Sequence, residues 1–264
     1  MAEKNIIEKN LLCKIESLMD YRLFPVLINE SAESEVIKNT LFKNLIDLQA
    51  AIYHLDAHLE TNWVTNESEL INLWEDIYFS LMNCGISSDR KNEYLNHIRK
   101  YEKHEIELRH GKSPLRFDME YFYFYKSCDV KLLRRLIYER LGLGGLGTTL
   151  AEWRYYDLIT EVNDDIEDLV EDLDFINGNR FLISLIEQGR EQTELEFLNF
   201  MIKIGIKAKS RYQTSKGKFS KQIYDTTVLR INETQTLMRN VLMEVDDGLL
   251  YKSRLYRQQK TIQI

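Results

Sequence analysis

Proline is almost absent from this chain, which has two prolines in 264 residues, and glycine is sparse as well, with 11. Sheet-rich folds connect their strands through frequent tight turns, and those turns draw heavily on proline and glycine. Helices joined by short loops need far fewer of these residues. The sequence therefore predicts an all-α protein, folded as a single-domain multi-helix bundle over residues 1–264.

The clearest helical pattern runs from about Ser34 to Trp63. Apolar residues recur along it at steps of three and four, the spacing of a core-facing helix surface: Leu41, Leu45, Leu48, Ile52, Leu55 and Leu59. Further helices are predicted over residues 4–21, 67–83, 88–110, 117–141, 148–173, 179–189, 191–212 and 216–258. The connections are short and no repeat or linker marks a boundary, so we predict one bundle of eight to ten helices.

Composition argues against several classes of protein. The formal net charge of -7 and the pI near 5.4 disfavour a general nucleic-acid binder, which is normally basic. Cys13, Cys84 and Cys128 are widely spaced, without a CxxC pair or a secretory leader, so neither a disulfide framework nor a zinc knuckle is expected. The longest uncharged run, residues 77–88, is shorter than the roughly 18 apolar residues of a membrane span. We expect a cytoplasmic protein without a transmembrane segment.

Charge is distributed unevenly along the chain. The segment 161–174 contains no lysine or arginine and carries these acidic residues: Glu161, Asp164, Asp165, Glu167, Asp168, Glu171, Asp172 and Asp174. The segment 203–221 contains no acid and carries these basic residues: Lys203, Lys207, Lys209, Arg211, Lys216, Lys218 and Lys221. Each block repels itself, and a divalent cation together with a polyanion would offset both.

The acidic block lies on a predicted helix whose apolar residues mark its buried side. At 100° per residue, Glu161, Asp165, Asp168 and Asp172 form a row beside the apolar stripe, with Asp164 one step further out. Carboxylates four residues apart can bridge a hard cation, and Mg²⁺ leaves several of its positions to water and phosphate oxygens. This spacing suits Mg²⁺ held for a phosphorylated substrate. The alternative is a solvated acidic helix face.

A second group of polar residues borders the apolar stripe of the helix over residues 34–63. Gln49, Tyr53, Asp56 and Glu60 follow one another at steps of four, three and four, so they share one side of that helix. They form a candidate cavity wall in which Asp56 and Glu60 supply a DxxxE pair. The alternative is the ordinary polar edge of an amphipathic helix.

These residues carry a resemblance to a known superfamily. Within DDIED, Asp164, Asp165 and Asp168 spell a DDxxD motif, and Asn163, Glu167 and Glu171 overlap it at the ligand positions of an NDxxSxxxE motif. The chain resembles the class I isoprenoid synthases, which include trans-prenyltransferases, squalene and phytoene synthases and terpene cyclases. The DxxxE pair is similar to the first acidic motif of the squalene and phytoene synthase branch.

The resemblance implies the class I terpenoid synthase fold and a Mg²⁺-dependent enzyme that ionises a prenyl diphosphate, for terpene cyclisation or for prenyl transfer or condensation. It implies metal ligands on two acidic motifs: Asp56, Glu60, Asp164, Asp165, Asp168 and Asp172. Among these, Asp56, Asp164 and Asp168, together with Tyr53, are the candidate catalytic residues. The other function that we carry forward is a non-catalytic helical binding or subunit protein related to that fold.

Basic residues for the diphosphate are expected at two places. Lys126, Arg134 and Arg135 follow an aromatic run, and arginine offers bidentate geometry to phosphate oxygens. Arg254 and Arg257, near the C-terminus, occupy a position similar to that of the Arg-Tyr pair of terpene cyclases. Solvated surface is the alternative for each of them, and a homodimer is compatible with either function.

Two other motifs do not match their usual contexts. The glycines at 142, 144, 145 and 147 match GxGxxG, but the segment before them reads as a helix, whereas a dinucleotide fold requires a strand there. Glu107 and His110 form an ExxH pair, but a carboxylate-bridged di-iron site needs a second such pair and no histidine follows His110. Neither motif supports a function.

Overall fold

The computed structural model describes residues 2–262, with side chains for residues 9–246 and 248–258, and in this range it contains helices and no strand. The all-α prediction is confirmed. None of the described helices is both long enough and apolar enough to cross a membrane. The α-helices are α1 Ala2–Tyr21, α2 Phe24–Asn29, α3 Glu35–Thr61, α4 Glu67–Asn83, α5 Lys91–Leu108, α6 Met119–Lys126, α7 Cys128–Arg140, α8 Arg154–Glu167, α9 Arg180–Gln188, α10 Arg190–Thr214, α11 Ser220–Glu244, α12 Asp247–Leu250 and α13 Arg254–Ile262.

The helices group into two compact units. The first comprises residues 1–58, 64–98 and 128–146, and the second comprises residues 59–63, 99–127 and 147–264. Each unit has its own buried apolar core. The single domain over 1–264 stays a prediction for the chain as a whole.

In the first unit, α3 presents the stripe that its sequence predicts. Leu45 and Leu48 are fully buried, and Leu41, Ile52 and Leu55 are nearly so. Burying large apolar side chains contributes about 1.5–3 kcal/mol each. This stripe therefore anchors α3 in the core of the unit.

In the second unit, α8 is the central helix. Leu158, Ile159, Val162 and Ile166 have at most 1% of their surface exposed, and the core cluster that contains them also takes residues from α6, α9, α10 and α11. The apolar stripe predicted for this helix is confirmed. Side chains on α8 that border the stripe are therefore placed at the edge of a dry core.

Several predicted helices are interrupted in the structure. The helix expected over 148–173 is α8 flanked by short 3-10 turns, Leu150–Glu152 and Glu171–Asp174, and α8 ends before Asp168. Carboxylates at the C-terminal end of a helix oppose the helix macrodipole, which disfavours continuation through the acidic block. The helix expected over 117–141 divides at Ser127, whose hydroxyl donates to the carbonyl of Phe124 at 3.3 Å and so competes with the helical pattern.

Candidate acidic site around Lys126

The acidic residues of α8 differ in depth. Glu161 and Asp165 are buried, with 6% and 1% of their surface exposed, whereas Asp164 is half-buried. Asp168 is half-buried as well and is the C-cap residue of α8. The deep pair and the shallow pair are therefore chemically distinct groups, although all four residues belong to one short segment.

Asp165 is held by three donors from other parts of the second unit. Its Oδ2 accepts from the Tyr123 hydroxyl at 2.8 Å and from the Arg180 backbone N–H at 2.9 Å. Its Oδ1 forms an ion pair with the ammonium group of Lys126. Because Arg180 is the first residue of α9, the Asp165 carboxylate also lies at a helix N-terminus, where the macrodipole favours negative charge.

Lys126 is the cation at the centre of the site. Its side chain is 21% exposed. Burial acts to lower the pKa of Lys126, but the negative charges of Asp165, Glu161 and Asp172 outweigh it and the pKa is raised. Lys126 therefore remains charged, and three acidic side chains of the second unit contribute to its raised pKa.

Asp172 closes one side of the site. Its Oδ1 accepts from Asn177 at 2.5 Å, and its Oδ2 accepts from Asn179 at 2.7 Å. Burial raises the pKa of Asp172, and the charge of Lys126 opposes that rise. The side chain of Asn179 also donates to the Asp165 carbonyl at 2.7 Å and caps α9 by accepting from the N–H of Leu182 at 2.8 Å.

Glu105 on α5 is a fourth acid that faces Lys126, and the sequence analysis did not select it. The residue is 4% exposed, and its Oε2 accepts from the backbone N–H of Gly178 at 3.1 Å. Burial raises the pKa of Glu105 to about 7, opposed by a hydrogen bond from Tyr101 and by the charge of Lys126. A Cβ on Gly178 would lie 2.6 Å from Glu105 Oε1, so a larger residue at this position would displace the Glu105 carboxyl group.

A signal for Glu105 is present in the sequence. Leu95, Ile98 and Leu108 are buried on α5, and Glu105 falls on the same face at helical spacing. A charged residue within a core-facing stripe is unusual unless it has a partner. That partner is contributed by α6, which no local pattern in α5 indicates.

A cavity of about 340 Å³ lies within the second unit, and its wall includes residues of α5 and α9, two helices that also contribute to the acidic site. Leu108 lies one helical turn from Glu105 on α5, and Ile183 lies one turn from Arg180 on α9, so two helices carry both the acidic site and the cavity wall. The lining residues are Leu108, Gly111, Ser113, Pro114, Ile183, Ile186, Glu187, Ser253, Leu255 and Tyr256. The wall of this cavity is therefore mixed, with apolar side chains such as Ile183 and Leu255 and polar ones such as Glu187 and Ser253.

The residues of the predicted first motif divide between the two units. Tyr53 and Asp56 are half-buried on α3 in the first unit, where the ammonium group of Lys14 lies 5.7 Å from the ring centroid of Tyr53. Glu60 is half-buried and belongs to the second unit, where its backbone carbonyl accepts from the N–H of Ile176 at 2.8 Å. Their metal-binding and catalytic roles stay predictions.

Two of the predicted diphosphate ligands make contacts within the first unit. Arg134 is 1% exposed, donates to the carbonyl of Arg22 at 3.4 Å and lies 5.2 Å from the ring of Phe24. Arg135 pairs with Glu139 at 2.7 Å and lies over the ring of Tyr94. These contacts organise the packing of α7 in its own unit.

The remaining predicted cations lie in the second unit. Arg254 donates to the carbonyl of Thr61 at 2.9 Å, and Arg257 is exposed. Both belong to α13, as does Tyr256, which lines the cavity. The basic block on α10 is partly paired, since Lys207 contacts Glu120 at 2.5 Å.

The described side chains include no group of three acidic, histidine or cysteine residues arranged to hold one metal ion. Around Lys126 the deep carboxylates are oriented toward the lysine and toward amide and hydroxyl donors. Comparisons with protein-family models, with curated proteins and with solved structures found no match. The function is therefore argued from the site alone.

Proposed function

We propose that this chain is a Mg²⁺-dependent isoprenoid synthase-like enzyme that ionises a prenyl diphosphate, in terpene cyclisation or in prenyl transfer or condensation. The observation that carries the proposal is that α5 and α9 contribute both to the acidic site around Lys126 and to the wall of a cavity with apolar side chains. Such a combination suits a substrate with one charged end and one hydrocarbon end.

The charge balance of the site favours a second cation. Glu161, Asp165 and Asp172 all act on Lys126, so one ammonium group faces three acidic side chains even when Glu105 is protonated. Acidic side chains that lie close together in a buried site raise one another's cost of ionisation. A divalent ion at the edge of the cluster would offset that cost.

We assign the proposed Mg²⁺ to the shallow pair, Asp164 and Asp168. They lie one helical turn apart at the end of α8, and both are half-buried. Mg²⁺ commonly takes one or two carboxylates and completes its octahedron with water and substrate phosphate oxygens, so a cage of three protein carboxylates is not required. Asp165 and Asp172 then position the segment, and the metal-binding roles of Asp56 and Glu60 stay predictions.

The cavity supports a hydrocarbon substrate. Its volume of about 340 Å³ falls within the 300–1,000 Å³ typical of small-molecule sites, and Leu108, Ile183 and Leu255 supply apolar wall. Tyr256 lines the cavity, and Arg254 and Arg257 are its near neighbours in the sequence of α13. We propose these arginines, with Lys126, as ligands of the diphosphate.

Bound Mg²⁺ would supply Lewis-acid stabilisation of the charge that develops on the leaving diphosphate. The chain's own residues would prepare the site for that charge. Lys126 and Tyr123 fix the Asp165 carboxylate, and Asn179 fixes Asp172, so the acidic segment is held before any ligand arrives. The apolar wall would keep water from the reacting carbon.

The decisive experiment measures diphosphate release and extracted organic products with C10, C15 and C20 prenyl diphosphates, in Mg²⁺ and in EDTA. We expect Mg²⁺-dependent release with at least one chain length. Asp164→Asn and Asp168→Asn should each reduce the rate at least tenfold. Asp174→Asn is the matched control, because Asp174 is an exposed carboxylate of the same acidic segment outside the proposed ligand set.

If no diphosphate is released from any of the three substrates, and Mg²⁺ plus diphosphate produces no thermal shift, the proposed enzymatic function is wrong. Equal loss in Asp174→Asn would refute the assignment of the ligands, because it would indicate an effect of total charge. Circular dichroism spectra that match between the variants and the parent exclude misfolding as the cause.

One observation favours the second function, a non-catalytic binding or subunit protein. The carboxylate of Asp165 is fully engaged by Tyr123, Lys126 and the N-terminus of α9, which is the arrangement of a structural residue. Under that function the acidic site would serve to stabilise the unit, and the cavity would bind a ligand without turnover. The same assay separates the two, since only the enzyme releases diphosphate.

A further inference from the structure

The exposed face of α10 carries an uninterrupted stripe at alternating steps of three and four residues. All of its members are exposed: Gln192, Leu195, Asn199, Ile202, Ile206, Lys209 and Gln213. This spacing is the heptad pattern of helices that pack side by side. The opposite face of α10 is buried in the second unit through Phe197, Met201 and Ile204, so the stripe points away from the unit's own core.

The apolar members of this stripe are unusually exposed. Leu195 is 54% exposed, Ile202 is 55% exposed and Ile206 is 66% exposed. The neighbouring helix α11 presents an exposed stripe with the same spacing and two apolar members, Leu229 and Met243: Gln222, Asp225, Leu229, Asn232, Thr236, Arg239 and Met243. The α10 stripe has three aliphatic members, of which Ile202 and Ile206 lie one turn apart, and we take it as the candidate interaction surface.

Charge along α10 is polarised in a way that selects the partner. Its N-terminal half carries three acids and one base, and its C-terminal half carries four bases: Arg190, Glu191, Glu194 and Glu196, then Lys203, Lys207, Lys209 and Arg211. Within the unit, Glu196 also pairs with Arg180 at 3.9 Å and Lys203 with Glu120 at 3.7 Å. A second α10 laid antiparallel on the first brings each acidic half beside a basic half, whereas a parallel arrangement sets like charges side by side. The helix is therefore complementary to itself in one orientation only.

We propose that two copies of this chain form a homodimer with twofold symmetry through antiparallel contact of their α10 helices. In the register that pairs the apolar residues, Leu195 lies opposite Ile206 of the second copy, and Asn199 lies opposite Ile202. Glu196 then lies beside Lys203 of the second copy. The surface is the same on both copies, as a closed twofold interface requires.

Asn199 bears on the strength of this contact. A polar residue within an apolar helix seam lowers the stability of the contact, which favours a reversible dimer. Asn199 and Ile202 flank the symmetry axis in the proposed register. The proposal concerns association and does not depend on the proposed enzymatic function.

Sedimentation equilibrium of the full chain over a range of concentrations tests the dimer. We expect a reversible monomer–dimer equilibrium for the parent, and Ile202→Asp should weaken association at least a hundredfold, because each dimer buries the new carboxylate twice. Leu229→Asp is the matched control, since Leu229 is 57% exposed on the corresponding stripe of α11. This control should associate as the parent does.

A charge exchange tests the register. Glu196→Lys should weaken the dimer, because the introduced lysine side chain lies beside Lys203 of the second copy. The double variant Glu196→Lys/Lys203→Glu should restore association, because the charges of both pairs are then reversed together. A parent that stays monomeric at all concentrations would overturn the proposal. If Ile202→Asp associates as the parent does, the interface is wrong. If the double variant does not restore association, the register is wrong.

Discussion

Glu105 shows how a single buried acid is kept in the second unit. The residue is surrounded by core side chains of α5 and receives one backbone donor, from Gly178. Burial raises its pKa from the ordinary value of 4.5 to about 7, because the charged form is poorly solvated. At neutral pH the residue is therefore close to its midpoint of titration.

The raised pKa of Glu105 predicts a pH dependence of stability. Between pH 4.5 and about 7 the folded chain retains a proton that the unfolded chain has released, so the free energy of unfolding decreases as pH rises through this window. The total decrease attributable to this residue is at most about 3 kcal/mol. In Glu105→Gln the decrease should be smaller, as measured by urea unfolding at pH 5 and pH 8.

Glu107 on the same helix is the control for that measurement. Hydrogen bonds from Arg116 and Lys112 lower the pKa of Glu107 to about 2, so its stabilising effect is complete above pH 4.5 and is lost only in stronger acid. Glu107→Gln should therefore leave the difference between pH 5 and pH 8 unchanged. A Glu105→Gln profile identical to that of the parent would contradict the role assigned to Glu105.

At the scale of the element, helix ends decide where the acidic residues lie. α9 begins at Arg180 with Asn179 as its N-cap, and the same Asn179 side chain donates to Asp172 and to the Asp165 carbonyl. One residue thus caps a helix and fixes two parts of the acidic segment. Asn66, which caps α4, is exposed, and its side chain makes only the capping hydrogen bonds, to the N–H groups of Ser68 and Glu69.

The two caps predict opposite results for the same substitution. Asn66→Asp should be neutral or slightly stabilising, since aspartate caps as well as asparagine and its charge is favourable at a helix N-terminus. Asn179→Asp should cost several kcal/mol, because it replaces a donor with a carboxylate directed at Asp172. Thermal unfolding of both variants measures the difference, and equal melting temperatures would contradict the role of the Asn179 amide.

The predicted helical phase holds within α8 and fails at its end. Counting 100° per residue correctly placed Leu158, Val162 and Ile166 on the buried side. Past Glu167 the helix stops, so Asp168 and Asp172 occupy a turn and a 3-10 segment, and the predicted single row of acids is interrupted. Helix propensity read along the sequence does not predict this end of α8, because the end depends on the charge of the acidic segment and on a contact from Asn179 in a later loop.

At the scale of the whole molecule, the sequence was sufficient for the class of fold and insufficient for the site. The near absence of proline and the stripe on α3 are local properties, and they predicted an all-α chain correctly. The acidic site combines Glu105, Tyr123 and Lys126 with α8, and these contacts join residues far apart in sequence. Such pairings depend on tertiary packing, which no periodicity in a single sequence encodes.

Thiol chemistry offers a probe of cooperative unfolding in the first unit. Cys13 is exposed, whereas Cys84 and Cys128 are buried. Burial raises the pKa of the Cys84 thiol to about 12, opposed by the charge of Arg140, so this thiol is protonated at neutral pH. Native protein should react with a disulfide reagent rapidly at one cysteine and slowly at the other two.

The Cys13→Ser variant should lose the rapid phase and keep the slow one. The slow phase should accelerate with urea in parallel with the loss of helical circular dichroism, because both report opening of the same core. Rapid reaction of all three thiols in native protein would contradict the burial of Cys84 and Cys128. No disulfide is involved, since none of the three cysteines is disulfide-bonded.

Lys126 has a consequence for ion competition at the acidic site. Because it is tethered to the same chain as Asp165, it acts as an intramolecular counterion, and a group on a short tether is present at an effective concentration of about millimolar or more. A free cation must displace it to reach the deep carboxylates, which lowers the apparent affinity of that position for any ion in solution. Chelators should then leave the second unit folded. The concentration of divalent ions should affect ion occupancy only at the shallow pair, Asp164 and Asp168, to which we assign the proposed Mg²⁺.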